Sequence, residues 1–526
     1  MDQVDASLEI INLICTTLLF IHNVTNDSLQ SASTPATLIE HHTFLDGFAD
    51  LCFGDVTGIL RDARVSKTLV LDVQRSLHSL NKVLAAHREA WRYMSVTSEI
   101  KKQQTIRRGT ISFDADDEKK KWRDEMKQRS QIWKERAGPA AHSTLFDEEE
   151  MNSLVLSCSM WIDRLRHSLS IVLLMNGEPS PHFPTIEQAT HLGITRMLER
   201  QRRIGLRPSG NYIPLTGRLR RSVGIAQLPT SLMKTIYNDG SEEIDVMVEV
   251  RPYNETPAGA VRQLTWYLSA SHHQETTFKQ VMTQDQYGML SLRCLGYIDD
   301  AGNARSLILY RSPQSHPWAS SPPSLHDIIM KGWVGKLGLS QRFRVARTLA
   351  ASILDIHTSG SRHSNINSRN IAMMPRQLND PEPLPYLLGW GAEPLPTDEL
   401  MALEQNLYRH QTQFGRCSSP STTEQDVYSL GVVLLEIGLW TTMPTVFAKL
   451  LETSPRFSAR EENAVFKKVS RVVLDLAYGP DVRREMGERY ARVVQNCLKW
   501  NRRDASESLL EFRKEVVDVL NAGCVL

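Results

Sequence analysis

The stretch Arg362–Met373 reads RHSNINSRNIAM. His363, Asn365 and Asn370 carry its polar chemistry, and Ile366 and Ile371 are its apolar anchors. It follows directly on LSQRFRVARTLAASILDIHTSG (339–360), where Phe343, Ala346, Leu349, Ala350 and Ile353 predict a helix with one buried side. A polar loop in that position either performs chemistry or holds a scaffold together, and the residue types decide which. Asn365 is an amide, which accepts a hydrogen bond but cannot take a proton at neutral pH.

Working outward, the neighbouring runs fall in a definite order. Upstream lie three β-type runs, IDVMVEVRPY (244–253), LRCLGYIDD (292–300) and ARSLILYRSP (304–313), and then SLHDII (324–329). Downstream come YLLGWGAEP (386–394), EQDVYSLGVVLLEIGLW (424–440) and YARVVQNCLKW (490–500). Strands first and helices after point to an α+β arrangement. In this order the pieces resemble a protein kinase. VMVEV (246–250) resembles the lysine-bearing third strand, SLILYRSP the hinge, and SLHDII the helix after it. The run 339–360 resembles helix E, and RHSNINSRNIAM the catalytic loop. Gly389-Trp390-Gly391 resembles the metal-binding loop, Asp426 onward the start of helix F, and YARVVQNCLKW a late helix. The resemblance covers residues 230 to about 520 and implies a two-lobed protein-kinase-like domain over 230–526.

Position by position, the resemblance also implies a degenerate site. Asn365 stands where the family places its catalytic base. Asn370 is retained where the family has a Mg²⁺ ligand, but Gly389 replaces the aspartate of the second and stronger ligand. Glu249 takes the place of the phosphate-gripping lysine, and Arg251, two residues on, shares its strand face and is the candidate substitute. No GxGxxG precedes the strand, and the acidic NDGSEE (238–243) is the candidate turn. His363 and Asp426 match structural positions: a histidine packed beneath the loop, and a helix-F aspartate that bonds loop backbone. ATP is therefore the candidate cofactor, with weak Mg²⁺ binding, and no other metal site is expected.

Residues 1–180 predict an all-α helical bundle, followed by a helical connector and linker over 181–229. Met151, Leu154, Val155, Cys158, Ile162, Leu165, Leu169 and Val172 form one continuous helix face; Val73, Leu77, Leu80, Leu84 and Trp91 form a second. Leu45, Phe48, Leu51 and Cys52 belong to a third helix, and Ile186–Arg203 reads as another. The apolar run Leu8–Ile21 lacks a basic flank and a small-residue cleavage site, which argues against a signal peptide. It is short for a membrane span and reads as a core helix, with a helix able to leave its bundle and enter a bilayer as the alternative. Between Lys101 and Arg136 lies a mixed-charge segment with Trp122, Met126, Ile132 and Trp133 as anchors. Within it, RRGTIS (107–112) presents Thr110 and Ser112 as phosphorylation candidates.

The chain has 526 residues, too many for one core, with 41% hydrophobic and 23% charged residues and a formal charge of +1. That balance gives no sign of bulk attraction to nucleic acid. Seven dispersed cysteines, with no ligand spacing, read as reduced thiols in a cytoplasmic protein. A bundle ahead of a degenerate kinase-like domain is similar to fungal proteins that place a HeLo-type (prion-inhibition-and-propagation-like) domain there, and more loosely to the kinase-like effector of necroptosis. That resemblance implies a cell-death or incompatibility effector. The bundle would act on a protein partner, on itself or on an anionic membrane, with Lys101, Lys102, Arg107 and Arg108 available to lipid headgroups. The expectation is a catalytically degenerate pseudokinase regulator or scaffold. The alternatives are a divergent active kinase using Arg251 or Glu393, and an interaction module without nucleotide binding.

Overall fold

The computed structural model describes residues 3–25, 33–54, 58–62, 65–88, 148–176, 184–204, 206–220, 232–254, 256–270, 291–312, 322–331, 335–375, 383–391, 404–413, 422–449, 459–501 and 505–524. The chain divides into two compact units, Met1–Thr195 and Arg196–Leu526, and the division falls inside the stretch read as a connector. The architecture is mixed and mostly helical: N-terminal helices, then a five-stranded antiparallel sheet followed by helices.

In the first unit, α1 (Gln3–Thr25) packs on α2 (Ser33–Phe53) and α3 (Lys67–Val83). The long helix α4 (Glu148–Asn176) packs on α2 and α3 from its own side. Three glutamates, Glu148 to Glu150, open α4, where they suit the positive end of the helix dipole. The apolar faces named above are buried: Val73, Leu77, Leu80 and Leu84 from α3 and the turn after it, and Met151, Cys158, Ile162, Leu165 and Leu169 from α4.

Helix α1 runs beyond both ends of the apolar run Leu8–Ile21 and takes its threonines in without a break. Thr17 and Thr25 turn their hydroxyls back onto the carbonyls of Leu13 and Ile21, at 2.8 and 2.9 Å, and so enter an apolar setting without an unpaired group. The window Ala6–Thr25 is consequently long and apolar enough, by length and composition, to cross a membrane. This window is longer than the run Leu8–Ile21, and 56% of it is buried within the unit, where it serves as a core helix.

Cross-helix polar bonds fix the register. Thr34 donates to Asn152 Oδ1 (3.0 Å), Ser159 bonds His41 (3.2 Å), and buried Asp72 faces Ser168 and Arg164. The single helix expected over Ile186–Arg203 is instead two. Thr185 caps α5 (Ile186–His191), Gly193 turns the chain at φ +65°, and α6 (Thr195–Ile204) follows.

The second unit continues from α6 into a sheet of order β1-β2-β3-β5-β4, with β1 (Arg218–Leu219), β2 (Met233–Asn238), β3 (Glu243–Pro252), β4 (Cys294–Asp300) and β5 (Arg305–Arg311). Helix α7 (Ala258–Ser269) lies between β3 and β4 in the chain and packs on β4 and β5. Strand alternation divides β3 cleanly. Val246 and Val248 join Leu307, Leu309 and Tyr237 in an apolar core, while Glu249 and Arg251 take the opposite face. NDGSEE (238–243) is the exposed turn joining β2 to β3.

Helices α8 (Leu325–Lys331) and α9 (Leu339–Thr358) follow, and then the hairpin of β6 (Ile371–Pro375) and β7 (Pro383–Leu387). The centre of the helical part is α10 (Thr423–Leu439), buried from Asp426 through Gly438 and packed against α9 and α13 (Pro480–Leu498). Helices α11 (Met443–Val446) and α12 (Ala459–Tyr478) lie between them in sequence. Close approach of α10 and α13 requires Gly431, where a Cβ would sit 2.8 Å from that of Cys497. Residues 505–523 add a final helical stretch with a π turn at Arg513–Val517.

Candidate functional site

The loop 362–370 leaves the end of α9 and is held from beneath by Asp426, in the first turn of α10. The two carboxylate oxygens of Asp426 accept the backbone N–H groups of His363 and Ser364, each at 2.8 Å, and His357 Nε2 lies 3.1 Å away. Burial alone would raise the Asp426 carboxyl, but the His357 hydrogen bond and neighbouring charge hold it below the ordinary carboxylate value. Those bonds also fix Ser364 at φ +68°, an uncommon conformation for a residue with a side chain. His363 is wholly buried, and its ring centroid lies 4.6 Å from that of Trp390. Burial brings its pKa down to about 4 despite the nearby Asp426 carboxylate, so the ring is neutral at physiological pH.

The three asparagines form a closed knot. Asn365 donates from Nδ2 to the Gly389 carbonyl (3.0 Å), and its Oδ1 accepts from Asn367 (3.1 Å). A carboxylate at 365 could not make the first bond and would face a carbonyl oxygen instead. Asn367 Oδ1 caps the short 3₁₀ turn Ser368–Asn370 by accepting the N–H groups of Arg369 and Asn370. Asn370 Nδ2 returns to the carbonyl of Asn365 at 2.9 Å. Gly389 sits against this knot at φ +71°, and a Cβ there would lie 2.6 Å from Asn370 Cγ. The space a second acidic ligand would need is filled by the Asn370 side chain.

Glu249 and Arg251 project from one face of β3 and meet at 2.6 Å, with side chains only 1% and 5% exposed. Arg251 reaches on to the Trp390 carbonyl at 2.9 Å, and Tyr310 on β5 donates its hydroxyl to the other Glu249 oxygen at 2.9 Å. Both Glu249 oxygens and the Nε and Nη2 atoms of Arg251 thus have buried partners. A buried ion pair is tolerable only with such supplementary bonds.

The structure therefore brings together Asn365, Asn370, Gly389, His363 and Asp426 around the loop, with Glu249 and Arg251 tied to the same place through Trp390. Thr110, Ser112, Lys101, Lys102, Arg107, Arg108, Trp91, Trp122, Met126, Ile132, Trp133 and Glu393 lie outside the described residues. The parts played by Trp390, Tyr310 and Asn367 were not read from the sequence. Only Asn367 left a signal, an asparagine placed to cap the turn two and three residues ahead.

These residues do not fit the nucleotide and Mg²⁺ that the kinase resemblance implies. Mg²⁺ takes six oxygen ligands in near-octahedral array. The site offers Asn370 Oδ1, buried and without a hydrogen bond, opposite a glycine with no side-chain oxygen. The cation that would meet phosphate is already neutralised by Glu249. Among the described residues, no group of three or more His, Cys, Asp or Glu is placed to hold a metal ion.

Beneath the loop, Ser368 bonds the Tyr408 hydroxyl (3.0 Å), which donates to Glu436 Oε1 on α10 at 2.6 Å. The Met443 N–H donates to the same oxygen at 2.6 Å. Burial pushes the Glu436 carboxyl up to about 7 in spite of these bonds. No family model and no curated protein matches the chain.

Proposed function

We propose that the second unit is a protein-kinase-like scaffold that performs no phosphoryl transfer, and that the chain is a signalling regulator. The observation that carries this reading is Arg251. The candidate substitute for a phosphate-gripping lysine is a guanidinium bound to Glu249 and to the Trp390 carbonyl, nearly out of reach of solvent. Asn365 supports it, because its amide donates to Gly389 where a base would have to accept a proton. Taken together, these features favour a scaffold without nucleotide over a divergent kinase. Its surface and its N-terminal helices would then carry the function, acting on a protein partner, a second copy or an anionic membrane.

The sharper form is a fungal-type cell-death or incompatibility effector, cytoplasmic until its N-terminal helices engage a membrane. The apolar window of α1, long enough to span a bilayer, favours that form. Incubation of the full chain with γ-labelled ATP and Mg²⁺ is expected to label neither the chain nor a generic basic protein substrate. Transfer that disappears on Asn365→Ala would overturn the proposal.

A further inference from the structure

We infer that residues 196–204 and 206–219 form a strap that sets the position of α7 and, through it, of Trp390 beside the loop 362–370. The sequence reads this segment as a helical connector through Arg203 and as a linker or extended entry after it. Its backbone and side chains instead make reciprocal bonds with the unit it precedes.

From the strap side, Arg203 of α6 reaches the C-terminal end of α7. Its Nη1 donates to the Trp266 carbonyl (2.7 Å) and to Ser269 Oγ (2.9 Å), and the guanidinium carbon lies 4.1 Å from the Trp266 ring centroid. A cation on the last carbonyls of a helix satisfies acceptors that the helix itself leaves open and suits its dipole. Two residues earlier, Gln201 donates to the Thr358 carbonyl at 2.8 Å, at the last residue of α9 before the loop. One short helix thus ties together the C-terminal ends of α7 and α9.

From the other side, α7 holds the strap. Arg262 donates to the carbonyls of Tyr212 (3.0 Å) and Ser209 (2.9 Å), Gln263 donates to that of Leu206 (3.2 Å), and the Tyr212 ring meets Trp266 edge-on at 5.1 Å. Further along, the Leu215 N–H donates to Tyr297 on β4 at 2.7 Å, and Arg218 and Leu219 pair with β2. The strap therefore bonds both outer strands of the β2-β3-β5-β4 series.

The path from α7 to the loop is short and fully packed. Tyr267, next to Trp266, bonds Ser359 at 2.9 Å and lies 5.9 Å, centroid to centroid, from Trp390. Trp390 in turn stacks near His363 and receives Arg251. Displacing α6 removes the Arg203 bonds from the end of α7, which loosens Tyr267 and with it the support of Trp390. Because the strap is the chain that leads out of the first unit, it is where a signal arriving along the backbone would act. This coupling holds whether or not the site takes a nucleotide.

Hydrogen–deuterium exchange on the full chain tests it, with Arg203→Ala compared with wild type and with Arg207→Ala, a substitution of an exposed strap residue. Arg203→Ala is expected to speed exchange at least about tenfold in residues 258–269 and again in 386–391, since charged hydrogen bonds to two α7 acceptors are lost along with the ion pair to Glu199. Arg203→Lys keeps the charge without the fork and should fall between. If Arg203→Ala unfolds the unit, Arg262→Gln, which removes the reciprocal bonds, is expected to give the same pattern. Faster exchange confined to 196–215, or an equal effect from Arg207→Ala, overturns the inference.

Discussion

Two residues apart on a strand, Glu249 and Arg251 point the same way, and burial leaves each charge dependent on the other. The pair is costly to create and costlier to break, because removing one member strands the other in a low-dielectric setting. Arg251→Met alone is expected to lower unfolding stability by about 3–5 kcal/mol. Combined with Glu249→Gln, which removes the orphaned charge and keeps an acceptor for Tyr310, it should cost much less than the sum of the single changes. Urea unfolding of the two single variants and the double variant measures the coupling; additive costs would show that the pair does not act as a unit. The same logic applies to Asn365. Its amide has a structural use, because it gives the Gly389 carbonyl a donor that an aspartate would not have.

At the scale of elements, α10 organises the helical part, through Asp426 at its start and Glu436 near its end. Glu436 titrates near 7 in the fold and near 4.5 when exposed, so the folded state binds the proton more tightly. Its stabilising contribution is fully present below about pH 4.5 and is lost as pH rises through about 7. Between pH 6 and 8, Glu436→Gln is expected to flatten a decline in unfolding midpoint that the unsubstituted chain shows. Equal slopes in the two chains would contradict the assignment.

Helices α9 and α10 were legible in the sequence because long apolar periodicities admit one buried face, and the loop between them because its polar spacing is unusual. Strand β2 and helix α7 were not read. MKTIYN is short and mixed, and AGAVRQLTWYLS opens on small residues after Pro257, so its Val261, Thr265 and Leu268 stripe is brief. The residue types at Asn365, Gly389 and Glu249, which the kinase resemblance reads as departures, were visible in the sequence. The bonds that tie them together were not, because Asn365 donates to the Gly389 carbonyl and Arg251, beyond its pairing with Glu249, to the Trp390 carbonyl, and backbone acceptors leave no mark in a sequence.

For the whole molecule, the two units pose separate questions. In the first, α1 is both a core helix and long enough to span a bilayer, and most of its C-terminal half is buried. Ile14 and Leu18 are wholly buried, so aspartate at either position would damage the unit as well as any membrane activity. Dye leakage by the unsubstituted residues 1–195 is the cleaner measurement. Leakage from anionic but not neutral vesicles is expected of a membrane effector, and intact vesicles of both kinds contradict that form.

In the second unit, the proposed scaffold ties Arg251, Asn365 and Asn370 into internal contacts where the kinase resemblance implies contacts to nucleotide. Any ligand that binds only the folded state raises its stability by mass action, by about 2.7 kcal/mol at a hundredfold excess over Kd. The most direct measurement is therefore the thermal midpoint of the full chain titrated with ATP, with and without Mg²⁺. No shift is expected in either series, and a saturable rise in either one would contradict the proposed scaffold.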